Sequence, residues 1–181
     1  SGATYYGEAT ELLDTTQAAQ LSGQIFLEAT GADAALISYN IYQPEVLSNL
    51  ENGYGANGQI LPGKMSEEDI TIFLPTGWYD TLQTATLTGN QIKQMAKDGC
   101  DLRDNGYPYP YVLMTKDGSA LEDENEYTVV ICGIPKAMKE SGSLNLQDTG
   151  IVGLDAAKEY LTKVGELSSA TLDDYLVQIV E

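Results

Sequence analysis

The order of elements readable from this chain predicts an α+β fold with mixed sheets covered by helices. Three observations carry that expectation. Capped segments with apolar residues at helical spacing recur along the chain, and short apolar runs of strand length lie between them. A reversal at Asp117-Gly118 then calls for antiparallel neighbours of a kind that a strictly alternating, all-parallel chain would lack. With 181 residues, of which 43% are hydrophobic, the chain can build one domain, or two small halves sharing a core, and is not disordered. No internal repeat is visible at any fixed period.

Taken in order, residues 15–30 read as a helix, with Ala18, Leu21, Ile25 and Ala29 on one face and Gly31 at the left-handed C-cap. Residues 34–37 form a short buried strand, and the glycine-rich, polar residues 42–63 a long loop. Ser66 and Asp69 have the spacing of a capping box, so a short helix starts there, and Leu74-Pro75 stops it. Residues 80–87 alternate, with Leu82, Thr84 and Thr86 facing one way and Thr81, Gln83, Ala85 and Leu87 the other. Thr88 caps a second helix, Gln91 reaches back to it, and Ile92, Met95 and Ala96 supply the apolar face.

Strands are expected at 111–115 and 126–133, joined as a hairpin across Asp117-Gly118. A short helix fits residues 136–140. Asp155 reads as the cap of a helix whose buried stripe is Ala156, Tyr160, Leu161 and Val164, with Gly165 ending it. A last stretch, 172–180, is helical or extended. Ser1-Gly2 in place of an initiating Met reads as a tag remnant, with residues 1–14 a lead-in and 15–181 the domain, excised from something longer. Neither a membrane-spanning apolar run nor a cleavable signal segment is legible.

The formal charge is −18 and Arg103 is the sole arginine. Such a surface repels phosphate backbones and anionic lipid, which argues against nucleic-acid and membrane partners. Cys100 and Cys132 are too few for a disulfide framework; they read better as two inert thiols than as one bridge. Histidine is absent. A two-metal phosphoesterase centre needs imidazole with carboxylates, and a Ser or Cys nucleophile needs a base, so neither chemistry has its parts here. The acidic clusters 67–69 and 122–124 sit at cap and turn positions, which solvation and capping explain.

Three blocks in order resemble the C-terminal domain of the bacterial 5'-nucleotidase, UDP-sugar hydrolase and cyclic-phosphodiesterase family. They are Leu27-Glu28-Ala29-Thr30-Gly31-Ala32-Asp33 with Ala35-Leu36-Ile37; Leu74, Pro75, Gly77, Leu87, Thr88 and Gly89; and Asp117-Gly118, Leu121 and Tyr127-Thr128-Val129. The resemblance spans roughly residues 15–165 and implies a layered helix–sheet–sheet–helix arrangement. It also implies a substrate-recognition role beside an N-terminal metallophosphoesterase domain of the same protein. That absent domain would hold the divalent metals, leaving this chain with no cofactor and no catalytic residue. By the same resemblance the full-length protein is a secreted or cell-surface bacterial hydrolase of nucleotides or related phosphate esters.

In that family two aromatic rings clamp the base, and Arg, Asn and Asp hold its polar edges. The matching positions here carry Tyr42 for the arginine, Thr76 and Trp78 for the Phe and Asn after Leu-Pro, Ile134 for the second ring and Gln20 for the helical Asn. The framework is kept while the nucleoside contacts are not. Either the pocket takes another ligand through Tyr39, Tyr42, Thr76, Trp78 and Tyr79, or the domain is a structural companion. Trp78 reads equally as a core or interface anchor. The Tyr107-Pro108-Tyr109-Pro110-Tyr111 run reads as a rigid lead-in to its strand more readily than as a ligand surface. The rival reading of the whole is a non-enzymatic surface module for glycan or protein. If the aromatic site exists, Trp78 should be partly exposed at the rim of a concavity where the two loops meet.

Overall fold

Three neighbouring strands are apolar at nearly every position, and a sheet built from them must be covered on both faces. The computed structural model, which describes residues 2–38, 58–76, 78–101, 111–132, 144–172 and 176–180, shows that arrangement. Six strands, β2 (Ala34–Ser38), β4 (Thr81–Thr88), β5 (Tyr111–Thr115), β6 (Glu126–Cys132), β7 (Gln147–Val152) and β9 (Leu176–Val180), lie in the order β7-β4-β6-β2-β5-β9. Only β2 and β6 run parallel; every other pairing is antiparallel. Leu36, Leu113 and Ile131 stand in one row and enter one core, whereas Ile37, Val112, Val130 and Cys132 enter the other.

Helix α1 (Thr15–Thr30), α2 (Glu67–Phe73) and α4 (Gly153–Val164) contribute Leu21, Ile25, Phe73 and Leu161 to the first core. Helix α3 (Gly89–Asp101) covers the opposite core with Ile92, Met95 and Ala96, helped by Leu121. A second, smaller mixed sheet joins the two-residue strands β3 (Gly63–Lys64), β1 (Glu8–Ala9) and β8 (Glu166–Leu167) in the order β3-β1-β8. Two mixed sheets and four helices among the described residues make the chain α+β, as its element order predicts. Ala9, Leu13 and Leu167 carry the small sheet and its flank into the first core.

The local chemistry explains most helix ends. Ser66 and Asp69 form the expected reciprocal box, and Leu74 leaves the helix in extended backbone. Thr88 and Gln91 exchange the same pair of bonds, at 2.8 and 3.2 Å. Helix α1 begins on Asp14, boxed with Gln17, and ends on Gly31 at φ 68°. The Asp33 carboxylate accepts the Thr128 N–H at 2.8 Å, locking the start of β2 beside β6.

Two expectations are corrected. Strands β5 and β6 reverse direction but are not a hairpin, because β2 lies between them, antiparallel to one and parallel to the other. The Asp117-Gly118 turn is present, with the Gly118 N–H on the Thr115 carbonyl at 3.2 Å, and the longer connection then carries the chain past β2. Asp155 is not the cap of α4: the helix starts at Gly153, its N-cap is Val152 without a side-chain bond, and Asp155 stands within the first turn. There its charge favours the helix dipole instead. The stretch 172–180 resolves into the end of a 3-10 turn, Ser169–Leu172, and the extended β9. The helix expected at 136–140, and most of the loop expected at 42–63, lie outside the described residues.

Gly89 shows why glycine follows Thr88. The 121–125 segment docks on the first turn of α3, accepting the Gly89 N–H at Asn125 and the Asn90 N–H at Asp123, both at 3.0 Å. A Cβ on Gly89 would stand 2.3 Å from the Glu122 carbonyl oxygen. Gly89→Ala should therefore cost about 1–3 kcal/mol through displaced backbone, read as a lowered urea midpoint with an unchanged slope.

Candidate functional site

The strand registers place six strand termini at one end of the large sheet. Ser38, the last residue of β2, is paired with Tyr111, the first of β5, which faces Val180 at the end of β9. Ile37 faces Cys132, the last residue of β6, and Thr81, the first of β4, faces Val152, the last of β7. Ser38 and Thr81 belong to strands two spacings apart, about 10 Å. The turn carrying Thr76, Trp78 and Tyr79 enters β4 at this end. Tyr39 and Tyr42 follow Ser38 in the chain, but both lie outside the described residues, as do Tyr107, Tyr109, Cys100's side chain and Ile134.

Trp78 is 48% exposed and Tyr79 88% exposed, so neither ring is spent on the core. Packing and a backbone bond help hold the turn beneath them. The Gly153 N–H donates to the Asp80 carbonyl at 3.0 Å. Thr76 lies against the same glycine: a Cβ on Gly153 would be 2.9 Å from Thr76 Cγ2. The Thr76 hydroxyl is buried without a hydrogen-bond partner. Thr76 thus seats the turn on α4, while the two rings after it face solvent. Gln20 is engaged elsewhere, donating to the Leu172 carbonyl at 2.6 Å.

A polar cluster borders this end on the edge strand, and sequence reasoning did not single it out. Gln83 Nε2 donates to Thr81 Oγ1 at 3.2 Å, and Asp148 Oδ1 accepts the Gly150 N–H at 2.8 Å. That backbone donor, followed by the Thr81 hydroxyl and the Gln83 amide, holds the Asp148 carboxyl below the ordinary aspartate range against a small opposing effect of burial. The only usable signal was the pairing of Gln83 with Asp148 across β4 and β7, which requires the register.

Exposed ring faces can stack on a flat or saccharide-like ligand. The chain has no histidine, and among the described residues no three Cys, Asp or Glu side chains gather into a ligand group. No helix of the described residues is long and apolar enough to cross a membrane.

Comparison with solved structures gives the fold a context. A 5'-nucleotidase precursor from Thermus thermophilus superimposes with a TM-score of 0.59 at 17% identity, over 91% of this chain and 38% of that one. The NAD nucleotidase of Haemophilus influenzae gives 0.60 at 13%, over 91% and 36%. The sulfate thiohydrolase SoxB of Thermus thermophilus gives 0.56 at 14%, over 91% and 33%. The chain therefore spans little more than a third of the proteins it matches, consistent with their C-terminal domain, and at such identities the likeness is one of fold. No protein-family model and no curated protein sequence matches the chain.

Two outcomes follow from the geometry. Trp78→Ala should change folding stability by no more than about 0.5 kcal/mol, since an exposed ring carries little of the core; chemical denaturation checks this. Asp148 should titrate below a free aspartate in a carboxyl-resolved NMR titration. Its folded pKa is depressed, so its contribution to stability is present above the unfolded value and fades as pH falls below about 4. Asp148→Asn should remove that pH-dependent increment.

Proposed function

We propose that this chain is the non-catalytic recognition domain of a larger 5'-nucleotidase-like hydrolase of phosphate esters, working beside a metallophosphoesterase domain of the same secreted or surface protein. The observation that supports it most is the exposed Trp78-Tyr79 pair. It sits on a seated turn at the end of the sheet where Ser38, Tyr111 and Cys132 also terminate, in a fold shared with nucleotidases. In this reading Trp78 and Tyr79, with Tyr39 and Tyr42 from the segment after β2, take over the role of the lost base clamp. The bond-breaking metals belong to the other domain, and this one contributes binding energy to ligand orientation.

Loss of the arginine at Tyr42 and of rings at Thr76 and Ile134, on a chain of charge −18, favours a second reading. In it the domain is a non-enzymatic module that binds a neutral glycan or a protein through the same aromatic turn. Both readings expect adenosine and AMP to bind weakly here, because a bidentate anchor and the ring clamp are missing.

Trp78 is the sole tryptophan, so its fluorescence reports directly on the turn. The purified chain should show no turnover of nucleotides with Mg, Mn, Co or Zn, and calorimetry should detect no low-micromolar binding of adenosine or AMP. Chelator-sensitive turnover by the chain would overturn the division of labour. In the full-length protein, Trp78→Ala should raise KM with kcat little changed, by a factor corresponding to one stacked face, about 1–3 kcal/mol. A full-length protein that hydrolyses no phosphate ester, but loses glycan or protein binding on Trp78→Ala, would establish the second reading instead.

A further inference from the structure

Helices α1 and α4 and the end of β7 enclose a groove of about 410 Å³. It borders the sheet end used by the recognition reading through Val152, the partner of Thr81, but contains none of the aromatic residues of that reading. That volume lies at the lower end of the range of small-molecule sites. Its floor is apolar: Ile25 and Ala29 from α1, Val152 at the end of β7 and Ala156 from α4, with the Tyr160 ring along one side. Its rim is charged, and the charges are unbalanced. Asp155, Glu159 and Lys163 follow one another at four-residue intervals on α4, which places them in one row above the floor. Glu28 stands across from them on α1.

An ordinary seam between two amphipathic helices pairs its rim charges. Here one pair does so: Lys163 donates to Glu28, bridging α1 and α4. Asp155 and Glu159 form no hydrogen bond or ion pair with any described residue. The next lysine, Lys158, binds Glu67 at 2.9 Å and covers the Tyr6 ring at 5.3 Å, and it feels Asp155 only at longer range. The groove is thus a hydrocarbon-lined slot with a net negative rim. Anions are repelled from it, and among the described residues the two carboxylates have only Lys158, at longer range, and Lys163, already shared with Glu28, to balance them.

We infer that this groove binds a small organic cation, a primary amine carried on a short apolar body. The body displaces water from Ala29, Val152 and Ala156, and the ammonium lies over the row formed by Asp155 and Glu159. Charge-assisted hydrogen bonds give the cation its orientation. The inference stands apart from the aromatic turn, and either can fail alone.

Amide-resolved NMR with 2-phenylethylamine as probe tests it. Saturable shifts centred on Ala29, Ala156 and Tyr160 are expected, and the uncharged 2-phenylethanol should bind at least about fivefold more weakly. The exposed pair Asp155→Asn with Glu159→Gln should weaken the amine by a similar factor and leave the alcohol unchanged. Ala29→Leu fills the floor without altering any charge and should abolish both. Equal binding of amine and alcohol, shifts that never saturate and spread over the acidic surface, no shift at all, or full binding by the double variant would each overturn the inference.

Discussion

Burial of the large sheet on both faces is the constraint on which the rest of this structure depends. Strands β2, β5 and β6 place successive residues alternately into two cores, so a slip of one residue in any of them would exchange the contents of both. That makes the register unusually well specified. In a sheet with one wet face, a slip exposes apolar groups; here it would also drive Leu36 or Ile131 against α1 and Ile37 or Cys132 against α3. Helices on both sides are therefore obligatory, and their lengths and positions follow from the strands they cover.

The same register gathers the strand ends at one place. Because β2, β6, β7 and β9 end where β4 and β5 begin, the chain connections at that end are gathered without any dedicated scaffold. The Trp78-Tyr79 turn gains its rigidity from α4: Gly153 admits Thr76 at a distance no side chain would permit, and its N–H holds the Asp80 carbonyl. Tyr79 is almost wholly exposed and Trp78 only half covered, so the packing of Thr76 and the Asp80 bond carry much of the hold on the turn. The cost is a buried Thr76 hydroxyl left without a partner, a penalty of about 1–3 kcal/mol.

The α1–α4 groove follows a different logic. The two helices share the first core through Ile25 and Leu161, yet their outer rows do not meet in matched charge. Glu28 and Lys163 close one place along the seam, while Asp155 stands in the first turn of α4, where it favours the helix dipole. A carboxylate that favours the helix dipole thus also shapes the electrostatics of the groove.

What the sequence determined by itself was the set of local commitments. The capping pairs Ser66 with Asp69 and Thr88 with Gln91, the stop at Leu74-Pro75, the C-cap at Gly31 and the buried face Ile92, Met95 and Ala96 all depend on neighbours within one or two turns. Such interactions are written in contiguous residues and can be read there, and Gly31, Leu74-Pro75 and Thr88 also lie in blocks that carried the family resemblance. Tertiary structure decided everything that needed a partner distant in the chain. The β5–β6 connection looked like a hairpin because a turn records reversal but not which strand fills the gap. Strands β1, β3 and β8, two residues each, are too short to show a period, and exist only because they find one another. Asp155 looked like a cap because its spacing fitted, but the helix, with Gly153 packed under Thr76, starts three residues earlier. The exposure of Trp78 was undecidable for the same reason: an aromatic residue beside a proline turn is equally at home in a core or on a rim, and only the bodies packed around it settle which.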